Sequence, residues 1–135
     1  MILPEISHPK HKKILLVDDS PICLRIANKM VQKIGYDTEL ATNGEEAVIF
    51  LENDHEEYCA VLMDLRMPVL DGILATKKCR ELGIEIPIII LTAEPKENYQ
   101  AAMAVGANYI IEKPATSQQL EEIFDNLNIK PSIKS

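Results

Sequence analysis

The sequence lacks an apolar run long enough to cross a membrane, and it lacks a recognisable secretion signal. Its longest clean apolar stretches, such as 86–91, are far shorter than the roughly 20 residues of a spanning helix. The first residues, MILPEISHPKHKK, contain no apolar core of a signal peptide. We therefore expect a cytoplasmic chain that does not insert into membranes.

Positive charge is not in excess, and no two cysteines stand at CxxC spacing. The 14 basic and 21 acidic residues give a net charge of −7, which argues against direct binding to nucleic acid. No histidine stands at metal-ligand spacing from the three cysteines. We interpret Cys23, Cys59 and Cys79 as reduced, mostly buried thiols.

The sequence does contain short apolar runs that alternate with segments of helical periodicity. Runs without polar alternation are typical of strands covered on both faces. The pattern predicts an α/β fold, a (βα)5 doubly wound five-stranded parallel sheet. We assign 1–12 to a tail or linker, 13–127 to the domain and 128–135 to a C-terminal tail. The predicted strands are 13–17, 37–41, 59–65, 86–91 and 108–112, and the predicted helices are 21–34, 44–53, 72–81, 96–105 and 117–127.

Polar residues mark the starts of the predicted helices. Ser20 or the aspartate before it caps the first, Asn43 the second and Ser117 the last. The first helix has apolar residues at helical spacing, which we expect to form its buried stripe: Cys23, Ile26, Ala27, Met30, Val31 and Ile34.

Polar side chains also stand at the ends of four predicted strands. They are Asp18 and Asp19 after the first, Asp64 in the third, Thr92 after the fourth and Lys113 after the fifth. Each taken alone has an ordinary explanation as a cap, a turn residue or a loop residue. Because ligands bind at the carboxyl ends of parallel strands, we expect these side chains to meet at one edge of the sheet.

Such a cluster suits phosphoryl transfer. Three neighbouring carboxylates repel one another unless a cation is present, and a hard cation with oxygen ligands is best matched by Mg²⁺. A lysine and a hydroxyl suit the equatorial oxygens of a phosphoryl group. A carboxylate oxygen can serve as the nucleophile and form an aspartyl phosphate.

Five motifs occur in order along the chain: VDDS at 17–20, MDLRMPVLDG at 63–72, LTA at 91–93, GA at 106–107 and KP at 113–114. Together they resemble the receiver domain (response regulator) family of two-component signalling. The resemblance implies a flavodoxin-like strand order, 2-1-3-4-5. It also implies a phosphoacceptor that switches protein–protein interactions, rather than an enzyme acting on a separate substrate.

The resemblance assigns roles to the residues of the predicted pocket. Asp64 would be phosphorylated, with Thr92 hydrogen-bonded to the phosphoryl group and Lys113 paired with it. Asp19 would bind Mg²⁺ directly and Asp18 directly or through water.

Three further assignments concern the loops of this pocket. Asp64 and the backbone carbonyl of Arg66 would complete the Mg²⁺ ligands, and the Lys113–Pro114 bond would be cis. Asp71 is a rival acceptor, but it lies well past the strand end and we interpret it as a helix cap.

The resemblance also implies partners. The donor would be a phosphohistidine on a histidine kinase or a histidine-phosphotransfer protein, and Ile22, off the buried stripe and beside the pocket, would help to dock it. We expect a monomer or a weak dimer. Whether the domain is free-standing or comes from a hybrid histidine kinase stays open, although 67–82 is somewhat more similar to hybrid-kinase receivers.

The sequence departs from the family at the switch. The family places an aromatic residue three positions before the lysine, to fill the space that Thr92 vacates, and here that position is Ile110. Tyr109 is adjacent but should face the other side of the strand. We therefore expect a conformational switch that is weaker than the family's or built differently. The alternative is that Tyr109 is only a surface residue with no role in switching.

Two positions that influence hydrolysis in the family carry opposite charges here. They are Arg66, two residues past Asp64, and Glu94, two past Thr92. If they pair across the mouth of the pocket they could hinder the attacking water, although exposed pairs are weak.

Three other functions compete with this interpretation. A haloacid-dehalogenase-type phosphatase needs its two aspartates one residue apart, whereas Asp18 and Asp19 are adjacent. A flavin carrier needs a phosphate-binding loop where this chain has Asp-Asp-Ser-Pro. A degenerate receiver that serves only as an interaction module would not need the complete set of pocket residues.

Overall fold

The structure is a computed structural model that describes residues 12–131, except for the side chain of Asn98. Five strands alternate with five helices, as predicted. The strands are β1 Lys13–Val17, β2 Thr38–Ala41, β3 Tyr58–Asp64, β4 Ile88–Thr92 and β5 Tyr109–Glu112. The helices are α1 Pro21–Lys33, α2 Gly44–Asp54, α3 Gly72–Glu81, α4 Tyr99–Ala104 and α5 Ser117–Asn126, with 3-10 turns at His55–Glu57 and Lys96–Asn98.

The five strands form one parallel sheet in the order β2-β1-β3-β4-β5, which confirms the predicted topology. β1, β3 and β4 are apolar over most of their length because both faces of the sheet are covered there. In β1, Leu15 and Val17 pack with α2 and α3, whereas Ile14 and Leu16 pack with α1 and α5. No helix within residues 12–131 has the length and apolar character needed to cross a bilayer.

Most of the predicted helix starts are confirmed. The Ser20 side chain accepts a hydrogen bond from the Cys23 N–H, and Asn43 accepts one from the Glu46 N–H at 2.7 Å. Asp71 is likewise the cap of α3, not a free carboxylate.

Three predictions about helices were wrong. Thr116, not Ser117, caps α5, because Thr116 forms a reciprocal capping box with Gln119. Ile26 is 57% exposed, so it is not part of the buried stripe of α1, whose buried residues are Leu24 and Val31. The predicted helix 96–105 begins as a 3-10 turn and becomes α-helical only at Tyr99.

The chain remains packed beyond the last helix. Asn128 has a φ of 58°, which turns the backbone, and the next residue, Ile129, is buried. The Tyr36 hydroxyl donates to the Ile129 carbonyl at 2.9 Å, and the Tyr36 ring packs edge-on against Phe124 at 4.8 Å between centroids. Packing therefore extends two residues into the segment assigned to a tail.

Candidate functional site

Three carboxylates meet at the carboxyl-terminal edge of the sheet. β1 and β3 are neighbours, so the residues that follow Val17 come to the end of β3. Oxygens of Asp18, Asp19 and Asp64 all lie within 4.8 Å of one another. Asp18 is buried and Asp19 exposed, so the cluster is open to solvent on one side.

Lys113 supplies the positive charge of the cluster. Its ammonium lies 2.8 Å from Asp64 Oδ1 and 3.3 Å from Asp18 Oδ2. The Lys113 N–H donates to the Thr92 carbonyl at 2.8 Å, which fixes the end of β5 beside β4. The Lys113–Pro114 bond is cis, as predicted.

Thr92 is buried at the end of β4, with 1% of its surface exposed. Its hydroxyl oxygen accepts a hydrogen bond from the Glu94 N–H at 2.9 Å. Because the oxygen is used as an acceptor, its proton is the group that Thr92 can offer to a phosphoryl oxygen.

The electrostatics of the cluster favour an added cation. Burial raises the pKa of the Asp64 carboxyl, Asp18 and Asp19 raise it further, and Lys113 opposes this with its hydrogen bond and its charge. Burial lowers the pKa of Lys113, but Asp64 and Asp18 outweigh it, so the pKa is raised overall. The ammonium contacts two of the three carboxylates, and the remaining negative charge fits a hard divalent cation with oxygen ligands.

Arg66 lies in the loop that follows β3. Its side chain is exposed and forms an ion pair with Glu94, and the Glu94 hydrogen bond raises the pKa of the Arg66 guanidinium. The predicted pairing across the loops is therefore present. It joins the loop after β3 to the loop after Thr92.

The two switch positions lie on opposite faces of the sheet. Ile110 packs against the hydrophobic core beneath α2, α3 and α4. Tyr109 packs against the hydrophobic core on the other face, beneath α1 and α5. Tyr99, at the start of α4, lines with Ile110 a cavity of about 370 Å³. Its hydroxyl is buried without a hydrogen-bond partner among residues 12–131, and nothing in the sequence indicated this aromatic.

Beside the pocket, α1 presents an apolar surface. Ile22 is 68% exposed and Ile26 57% exposed. An apolar groove of about 350 Å³ runs from Asp18 and Lys113 between α1 and α5, and its lining includes Ile26 and Pro114. An apolar surface therefore adjoins the charged cluster.

Fold and site together define a doubly wound α/β domain with an acidic, lysine-bearing pocket at the strand ends. The chain belongs to the response regulator receiver domain family, which it matches over residues 14–125. It is thus a receiver domain of two-component signalling, a family whose known function is to accept a phosphoryl group on an aspartate. This assignment excludes the phosphatase and flavin-carrier alternatives.

Relatives include both short regulators and long kinases. The Arabidopsis thaliana two-component response regulator ARR22 is 35% identical, over 84% of this chain and 82% of that protein. Histidine kinase 5 of the same plant is 33% identical over 87% of this chain, which corresponds to only 16% of the kinase.

One similar solved structure is a receiver domain with bound magnesium. The receiver domain of the Pseudomonas aeruginosa sensor histidine kinase PA1611 has a TM-score of 0.77 and 35% identity, covering 86% of this chain and 96% of that one. That structure has a magnesium ion coordinated in its active-site cleft. Receiver domains bind Mg²⁺ in an acidic pocket, and in this chain Asp18, Asp19 and Asp64 form a cluster of carboxylates.

Proposed function

We propose that Asp64 accepts the phosphoryl group from a phosphohistidine donor in a Mg²⁺-dependent reaction. The observation that carries the proposal is the position of Asp64 within the carboxylate cluster, with its Oδ1 2.8 Å from the Lys113 ammonium. Asp71 does not compete, because it caps α3 through a hydrogen bond from the Leu74 N–H.

In the proposed reaction a carboxylate oxygen of Asp64 attacks phosphorus. The new O–P bond forms as the P–N bond of the donor breaks, and the histidine leaves as an imidazole after gaining a proton. Lys113 pairs with the incoming phosphoryl oxygens, and the Thr92 hydroxyl donates to one of them.

The metal would be held by oxygen ligands only. We assign these to the carboxylates of Asp18, Asp19 and Asp64 and to the backbone carbonyl of Arg66. When bound, Mg²⁺ would offset the charge that accumulates as the phosphoryl group approaches the carboxylates. Asp18 is already oriented, since its Oδ1 accepts from the Ser20 N–H at 2.9 Å.

The chain would catalyse only its own phosphorylation and slow dephosphorylation. The donor would be a histidine kinase or a histidine-phosphotransfer protein, docked on the exposed face of α1 around Ile22. Continuity of the apolar groove with Asp18 and Lys113 supports this placement, because the donor histidine must reach Asp64.

We further propose that the chain works in the cytosol as a monomer or weak dimer. The free thiols of Cys23, Cys59 and Cys79 are as expected in a reducing compartment. The net charge of −7 opposes direct contact with nucleic acid.

The first prediction concerns the acceptor itself. With acetyl phosphate or a phosphohistidine protein as donor, wild type should become labelled in Mg²⁺ and remain unlabelled in EDTA. Asp64→Asn should not be labelled, because the nucleophilic oxygen is replaced by an amide. Asp71→Asn is the matched control and should be labelled like wild type. Labelling of Asp64→Asn, or loss of labelling in Asp71→Asn, would contradict the assignment.

A further inference from the structure

The loop between β3 and α3, residues 65–71, carries Arg66 and is enclosed by two glycines. A Cβ on Gly72 would lie 2.5 Å from the Asp64 carbonyl oxygen, and a Cβ on Gly44 would lie 2.1 Å from the Leu70 carbonyl oxygen. Neither glycine has a positive φ, in contrast to Gly35, Gly83 and Gly106. Space for the loop backbone, not conformational freedom, therefore requires glycine at both positions.

Hydrogen bonds fix both ends of this loop. The Gly72 N–H donates to the Leu65 carbonyl at 2.8 Å, and the Gly44 N–H donates to the Leu70 carbonyl at 3.1 Å. Gly44 is the first residue of α2, a helix that contributes no side chain to the carboxylate cluster. A contact from this helix thus holds the far end of the loop that follows Asp64.

A strained turn directs Leu70 toward Gly44. Val69 has a φ of 74°, and the Leu70 N–H donates back to the Pro68 carbonyl at 2.9 Å, the pattern of a rare and strained γ-turn. A β-branched residue in this region is a genuine outlier. Val69 is 71% exposed, so packing of its own side chain does not offset the strain. The hydrogen bond and close contact with Gly44 are what retain the turn.

We propose that Gly44 is a positioning residue for the Mg²⁺ site. It acts through its contact with the Leu70 carbonyl. The hydrogen bonds to the Leu70 and Leu65 carbonyls, which we call the clamp, fix the two ends of the loop. This loop presents the Arg66 carbonyl beside Asp64. The inference rests on the proposed function, because it takes the Arg66 carbonyl as a ligand. Any side chain at position 44 displaces the Leu70 carbonyl and with it the loop.

The test is the Mg²⁺ affinity of Gly44→Ala, measured by NMR shifts or tyrosine fluorescence in a Mg²⁺ titration, with urea unfolding measured in parallel. We expect the dissociation constant to rise about tenfold or more, as is usual for groups that orient metal ligands. Labelling by acetyl phosphate should slow at low Mg²⁺ and recover when Mg²⁺ exceeds the new dissociation constant. A defect limited to folding would not recover in this way.

Gly83→Ala is the matched control. Gly83 has a φ of 79°, and a Cβ added there would meet nothing within 4 Å, so alanine strains the backbone without touching the loop. It should lower stability and leave the Mg²⁺ affinity within about twofold of wild type, since the two sites share no contacts. If Gly44→Ala fails to fold, Val69→Pro serves as the second variant, because the proline ring cannot adopt the φ of 74° found at this exposed position. It breaks the same turn and should also weaken Mg²⁺ binding.

The outcomes separate the two claims. Wild-type affinity in Gly44→Ala, or in Val69→Pro where the first variant does not fold, overturns the positioning role and leaves the proposed function intact. Failure of wild type itself to bind Mg²⁺ overturns both. Weakened binding in Gly44→Ala together with unchanged binding in Gly83→Ala supports the clamp.

Discussion

Opposing effects act on the pKa of the Asp64 carboxyl group. The Lys113 ammonium at 2.8 Å favours its ionised form, while burial and two neighbouring carboxylates disfavour it, and the pKa is raised overall. A bound cation would favour the ionised carboxylate, because it offsets the effects that oppose ionisation. The same balance gives the site a measurable dependence on pH.

Because the pKa of Asp64 is higher in the folded than in the unfolded chain, its contribution to stability is present below the unfolded pKa and is lost as pH rises through the folded pKa. Without metal, Asp64→Asn should therefore be more stable than wild type at pH 7, and the difference should shrink on acidification. The difference in free energy of unfolding between the two proteins is measured by urea titration in EDTA, at pH 7 and at a pH below the ordinary pKa of an aspartate. Asp37→Asn, which removes an exposed carboxylate outside the cluster, controls for net charge. A less stable Asp64→Asn at pH 7 would refute the argument.

The ion pair of Arg66 with Glu94 joins two loops at the mouth of the pocket. If it hinders the attacking water, Arg66→Ala should speed dephosphorylation about two- to fivefold, the range that an exposed pair can supply. Glu94→Ala should act in the same direction, and the double variant should be no faster than the faster single one. An unchanged rate in Arg66→Ala would remove the pair from the mechanism.

Some contacts between single residues could be predicted from the sequence, and others could not. Asp18, Asp64 and Lys113 could be placed together, because each ends an apolar run and parallel strands bring such ends to one edge. The contact of Gly44 with Leu70 could not be predicted, since it joins two segments through a backbone oxygen. The buried Tyr99 hydroxyl depends in the same way on how α4 packs.

At the scale of elements, strands were easier to predict than helix details. The continuous apolar runs left little choice for β1 or β3, whereas Thr116 and Ser117 are adjacent residues that both favour a cap. The Gln119 side chain completes a capping box with Thr116, and this contact makes Thr116 the cap of α5. Ile26 fits the helical period of α1, but it borders an open groove and not the core.

The exposed face of α1 leads to a prediction about the donor. Ile22→Asp should slow phosphotransfer from a phosphohistidine protein about fivefold or more, as expected for an interface side chain of consequence. Labelling by acetyl phosphate should not change, because a small donor needs no docking surface. Ile49→Asp, at a 48% exposed isoleucine on α2, is the matched control. Equal effects on both donors would show damage to the pocket and not to docking.

For the whole molecule, the net charge of −7 complicates any test of metal binding, since added salt also screens repulsion. Mg²⁺ that binds only the folded state should stabilise it by about 2.7 kcal/mol at a hundredfold excess over the dissociation constant. The melting temperature should therefore rise in MgCl₂ more than in NaCl of equal ionic strength. Asp64→Asn should reduce this difference. An equal rise in both salts would indicate screening alone.

The hydrogen bond from Tyr36 to Ile129 has a consequence for how genes encoding such domains can recombine. It holds the end of the described chain next to β2, where the Ile14 N–H also bonds to the Asp37 carbonyl, so both ends leave from the edge of the sheet opposite Asp64. A domain fused at either end would therefore begin on the side of the sheet away from Asp64. The relatives differ in how much sequence accompanies the matched region, which is most of ARR22 but about a sixth of Histidine kinase 5.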